Sequence, residues 1–167
     1  MADIDSTLIS NRAATPRVAN SPYNDAKMKS SGVGIVEVST ATDADDELRF
    51  CRVRSNAQIR NVMLTCNAIT STGAMNVGIY RTDDDGGAVV DADFFASAQA
   101  VTSGLRDSNI THESGAYGID ERDEPLWEAL GLSADPQLWY DVVGTVTTDM
   151  GGSGTICIEV IYVDGGA

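Results

Sequence analysis

Two runs of alternating apolar residues, met between positions 58 and 80 (QIRNVMLTCNAITSTGAMNVGIY), restrict this chain more than any other feature. Val62, Leu64, Cys66 and Ala68 share a face in the first run, as do Met75, Val77 and Ile79 in the second. A period of two sends successive side chains to opposite sides of a strand, so each run has one face to bury. The small polar connection Thr70-Ser71-Thr72-Gly73 separates them, and the pattern predicts an antiparallel hairpin. The rest of the chain reads as further strands and two short helices laid around it.

Residues 32–38 (GVGIVEV) and 48–54 (LRFCRVR) predict two more strands, with Val36 and Val38, then Leu48 and Phe50, turned inward. Residues 138–147 and 154–163 predict a second hairpin, and the last strand has apolar residues on both faces. At residues 91–96, an aspartate suits the cap of a short helix or turn that lays Phe94 and Phe95 on the sheet. Residues 98–123 read as polar loops with one short strand near 101–105. The clearest helix is expected at 123–131, where acidic residues lead into Pro125 and Gly131 follows the apolar stripe of Leu126, Trp127 and Leu130. No βαβ alternation and no internal repeat occurs. About six to eight strands with two helical turns predict an all-β fold, a jelly-roll-like antiparallel β-sandwich over residues 32–167. The order of its strands is not written in the pattern.

Residues 1–31 carry Pro16 and Pro22 among Ser, Thr, Ala and Asn, with single apolar residues and no period. That composition predicts an extended N-terminal arm that buries no core of its own. Arg12, Pro16, Arg17, Pro22 and Tyr23 are its candidate anchors on a partner; a leader without a role is the plain alternative.

Eleven basic residues stand against twenty-five acidic ones, a net charge of −14. Such a field repels phosphate backbones, so nucleic acid is not an expected partner. The basic residues fall mainly in the first third of the chain. Arg49, Arg52, Arg54 and Arg60 lie close together, and Arg52 and Arg54 join the candidate interface residues. No stretch approaches the ~18 consecutive apolar residues of a membrane span, and the start lacks the basic and apolar parts of a signal peptide. The expectation is a chain made in a cytoplasm, with no membrane partner.

Catalytic patterns are missing. His112 is the one histidine, and its neighbour Glu113 would point to the opposite face of an extended chain, so His112 reads as a structural tie for its loop. The acidic runs at 43–47 and 83–86 depart from the calcium-loop spacing and read as solvated turns. Cys51, Cys66 and Cys157, an odd number without a close pair, read as free thiols that act as small hydrophobes. No enzymatic activity, cofactor or metal is expected.

Several segments are shared with a known family. They are Ser55-Asn56-Ala57-Gln58-Ile59-Arg60-Asn61-Val62, Asn76-Val77-Gly78-Ile79-Tyr80 and the stretch from Gly86 to Ala96 (GGAVVDADFFA). Later come His112-Glu113-Ser114-Gly115, Pro125-Leu126-Trp127, Leu130-Gly131-Leu132 and Asp135-Pro136. In these, about residues 50–163, the chain resembles a recurrent family of tailed-bacteriophage virion proteins encoded beside the major capsid protein. The resemblance implies a capsid cement, or decoration, protein on the outer capsid surface of the virion. Its partners would be the major capsid protein and copies of itself, a homotrimer ahead of a homodimer. The motifs are structural and carry no active site. The competing reading is a carbohydrate- or receptor-binding β-sandwich of a phage head fibre or tail, with Tyr117 or Trp139 as its stacking residue; a glycan hydrolase is a distant third.

Overall fold

The computed structural model describes residues 9–10, 14–16, 18–19, 29–69 and 72–164. Eight strands run through it: β1 (Ser30–Val38), β2 (Glu47–Arg54), β3 (Gln58–Cys66), β4 (Ala74–Arg81), β5 (Val89–Ala100), β6 (Leu105–Asn109), β7 (Trp139–Thr148) and β8 (Gly154–Val163). They form two four-stranded sheets, ordered β1-β8-β3-β6 and β2-β7-β4-β5, with every pairing antiparallel.

The order has a simple generating rule. First pairs with last, second with seventh, third with sixth and fourth with fifth, as in one long folded ribbon. Successive rungs of the ribbon go to alternate sheets, and the β3·β8 and β4·β7 ladders close each sheet. This is the topology of a jelly roll.

Both expected hairpins therefore fail as hairpins, although their strands are real. β3 lies in one sheet and β4 in the other, and β7 and β8 are divided in the same way. The physical reason lies in the core. Val62 and Leu64 of β3 and Met75, Val77 and Ile79 of β4 are all 0% exposed, because the two strands face each other across the sandwich. Alternation reports that a face is buried; it does not report which backbone a strand bonds. Ala68, expected inward, is exposed beyond the end of β3, and Ile69 takes the buried position.

The expected helix or turn at 91–96 is also overturned. Those residues lie inside β5, whose register with β4 jumps from Val77↔Ala96 to Ile79↔Asp91. The extra length on β5 bulges out of the ladder, and this is how adjacent Phe94 and Phe95 both reach the core. Gly78 makes room for it: a Cβ there would stand 2.1 Å from the Asp91 carbonyl oxygen. The short strand expected near 101–105 is displaced to β6. At the predicted C-terminal helix, a 3-10 turn (Asp120–Asp123) precedes the single-turn α1 (Leu126–Ala129), and Gly131 past its end has φ of 71°. α1 seats Leu126, 1% exposed, over the end of the sandwich through Leu126 N–H to Ala57 and Trp127 N–H to Ser55. Among the described residues no helix is long and apolar enough to cross a membrane.

Candidate interaction face

β2 and β7 are neighbours in the second sheet, and their register aligns Arg49 with Val143, Arg52 with Asp141, and Arg54 with Trp139. β4 brings Tyr80 alongside Asp141. All of these project from the outer face of that sheet. The run of four arginines seen in the sequence is thereby split, because Arg60 belongs to β3 in the other sheet.

Asp141 is the centre of the group. It is 5% exposed, and its Oδ1 accepts from Arg52 Nε at 2.7 Å while its Oδ2 accepts from Arg49 Nη1 at 3.1 Å. Arg49 also donates to the carbonyl oxygen of Arg81 at 3.1 Å and to Glu47 Oε2 at 2.8 Å, and it pairs with Asp83 at 3.2 Å. Burial alone would lower the pKa of the Arg49 guanidinium; Asp141, Asp83 and Glu47 together hold it above its ordinary value. The Asp141 hydrogen bond raises that of Arg52. Burial also pushes the nearby Cys51 thiol up to about 12, with the Asp141 charge adding to it. A thiol held there stays protonated at neutral pH and has little nucleophilic character.

Two guanidinium groups lie over aromatic rings on this face: Arg49 is 5.9 Å from the centroid of Tyr80, and Arg54 is 4.7 Å from that of Trp139. Trp139 is 45% exposed. Arg54 and Trp139 form the lip of an open cleft of about 380 Å3 at the end of the sheet, continued by Ser55, Asp135, Gln137 and Leu138. Its walls are tied together. Ser55 Oγ donates to Asp135 Oδ1 at 2.5 Å, Asp135 Oδ1 accepts the Gln137 N–H at 2.8 Å, and the Ser55 and Leu138 backbones bond at 2.9 Å.

The other residues singled out in the sequence fall elsewhere. Arg12, Arg17, Pro22 and Tyr23 lie outside the described residues, and Pro16 is exposed. Tyr117 cannot be a stacking platform: it is 1% exposed, packs against Phe94 and Phe95, and donates its hydroxyl to the Ile59 carbonyl oxygen at 2.9 Å. His112 ties its loop as expected, with Nδ1–H donating to the Tyr117 carbonyl oxygen at 2.8 Å and its ring stacked on Tyr117. The three cysteines are free thiols. Among the described residues no group of three or more His, Cys, Asp or Glu is placed to hold a metal ion. Asp141 escaped sequence reasoning, though a signal was there. An aspartate inside the apolar run LWYDVVG needs a cationic partner, and the neighbouring arginine-bearing strand is the place to seek one.

Compared with known proteins, the chain matches no family model and no curated protein sequence. Solved structures do match. A chain in the capsid asymmetric unit of cyanophage Pam1 superposes with a TM-score of 0.54 at 15% identity, covering 89% of this chain and 93% of that one. A chain in the capsid of Ralstonia phage GP4 gives a TM-score of 0.57 at 15% identity with the same coverage. At this identity the likeness is one of fold, and it spans nearly the whole of each chain.

Proposed function

We propose that this chain is a structural virion protein of a tailed phage, a cement protein on the outer capsid surface that bridges neighbouring capsomers. The observation that carries the reading is the near-complete coverage of chains from two phage capsids, joined to the resemblance of residues 50–163 to decoration proteins. The role is mechanical and involves no turnover. Copies of the chain associate as a closed homo-oligomer, a trimer ahead of a dimer, since bridging at a symmetry axis favours closed symmetry. Residues 1–31 are the arm that docks on the major capsid protein, anchored by Arg12, Pro16, Arg17, Pro22 and Tyr23. Ordering an arm costs about 1–2 kcal/mol per residue in backbone entropy, so a partner must supply the contacts.

Cryo-EM of virions tests the location: density for this fold is expected over capsomer junctions, and finding the protein in the tail or missing from particles overturns the reading. Deleting residues 2–29 tests the arm. The truncated body is expected to stay folded and to lose its binding to undecorated shells; full-strength decoration sinks the arm's role. A glycan- or receptor-binding module remains the competing reading, and exposed Trp139 at the cleft is the feature that favours it. Glycan-array binding that vanishes in Trp139→Ala would decide for that rival.

A further inference from the structure

We propose that the Arg52–Arg54–Trp139 face is where one copy of this chain grips the next, with Ile119 and the acidic run from Asp120 to Glu128 of the neighbour as its occupant. The proposal rests on the oligomeric part of the reading above and assigns it a surface.

The receiving side is preformed. Trp139 and Arg54 stand at the lip of a cleft whose walls are held by the Ser55, Asp135 and Leu138 hydrogen bonds, so little ordering is required on contact. Tryptophan and arginine are the side chains that most often dominate interface energetics. Arg49 is matched by Asp141, Glu47 and Asp83, and Arg52 by Asp141, whereas among the described residues no carboxylate lies within ion-pair distance of Arg54.

The donating side is its complement. Ile119, 77% exposed, is the barest large apolar residue described, and it directly precedes Asp120, Glu121, Asp123, Glu124 and Glu128. Arg122, the cation inside that run, donates to the amide oxygen of Asn61 at 3.0 Å. The carboxylates repel one another: burial and its four acidic neighbours raise the pKa of Glu124. An apolar knob followed by carboxylates fits an aromatic lip flanked by arginines. The two sides are distinct patches that adjoin at one end of the sandwich, where the Trp127 N–H bonds the carbonyl oxygen of the cleft residue Ser55. The acidic turn is held by β3 of the first sheet, through Gln58 Nε2 to the Asp123 carbonyl oxygen at 2.6 Å and Arg60 Nη1 to the Arg122 carbonyl oxygen at 2.7 Å. The arginine face belongs to the second sheet. Contact between unlike patches is head-to-tail, which gives a ring where the rotation between copies closes and an open filament where it does not. A second copy is the natural source of the carboxylate that Arg54 lacks, since the chain itself carries −14.

The test is sedimentation velocity and native mass spectrometry of the full-length chain over a wide concentration range, with thermal melts as the folding control. Arg54→Glu, Trp139→Ala and Ile119→Asp are expected to melt like the parent and each to weaken self-association about tenfold or more. Combining Arg54→Glu with Glu124→Arg is expected to restore it. Variants that associate like the parent, a double reversal without rescue, or a parent that stays monomeric both at its highest soluble concentration and on particles each overturn the proposal. Shell binding is measured separately. Arg54→Glu protein that self-associates normally but no longer decorates shells assigns the face to the capsid and overturns the proposal, leaving the cement reading intact. Glycan binding lost in Trp139→Ala, with association unchanged, overturns it in favour of a sugar. Association through this face by a protein that never binds shells supports the proposal and removes the cement reading instead.

Discussion

On the outer face of the first sheet, Val33 and Ile35 stand 58% and 65% exposed, aligned across the strands with Glu159 and Cys157 and beyond them with Met63 and Thr65. On the outer face of the second sheet, Tyr80 and Asp141 are 4% and 5% exposed, although they too point away from the core. The two faces invert the usual expectation: apolar residues are bare on one, and a carboxylate and a phenol are covered on the other. The cause is position in the sheet. Tyr80 and Asp141 lie on the interior strands β4 and β7, where Arg49 and Arg52 of β2 reach across them, while Val33 and Ile35 lie on the edge strand β1, flanked on one side only. Outward direction and burial are therefore separate properties of a strand position.

The largest expected effect sharpens this contrast. Asp141→Asn removes the buried charge that half-buried Arg49 and exposed Arg52 share, and about 2 kcal/mol of stability should go with it. Urea unfolding measures this, and a loss under about 0.5 kcal/mol would show the covered face to be no more integral than an ordinary surface. On the bare face, Ile35→Lys should shift the stability of the free protein by less than about 0.5 kcal/mol. A larger loss would break the comparison by showing that Ile35 is covered in solution. The smallest effect belongs to the acidic turn, outside both faces. Glu124→Gln relieves the burial of an ionised carboxylate and its repulsion by Glu128, Glu121, Asp123 and Asp120, and should stabilise by about 0.3 kcal/mol at neutral pH. Its sign can be checked by titration. A carboxyl whose folded pKa is raised destabilises the fold when ionised, so the difference between parent and variant should shrink as pH falls through the carboxylate range. A difference that grows on acidification would contradict the assigned direction.

Much of the sandwich was legible because each strand buries one face. β1, β2, β3, β4, β7 and β8 all appear where alternation places them, to within two residues. Pairing was not legible, since Leu64 and Val77 satisfy the same core whether their strands are neighbours or stand opposite. β5 hid for a related reason: its bulge puts Phe94 and Phe95 inward together, which breaks the period of two that identifies a strand. Within the candidate face, Arg52 and Arg54 stand out as scarce cations in an acidic chain. Their grouping with Asp141 and Trp139 depends on a ladder between residues about ninety positions apart, and local sequence holds no trace of that distance.

The pairing of first strand with last has a consequence for biosynthesis. β8 sits between β1 and β3, with Ser30 opposite Tyr162 and Gln58 opposite Val163, so the first sheet has no centre until residues 154–163 have been translated. Before β8 emerges, a nascent chain holds β1 without its ladder and leaves one edge of β3 unpaired, with apolar strand surface open to its neighbours on the polysome. Closure must then await β8 and span nearly the full length of the body, the kind of long-range pairing that folds slowly and is prone to aggregation before it completes.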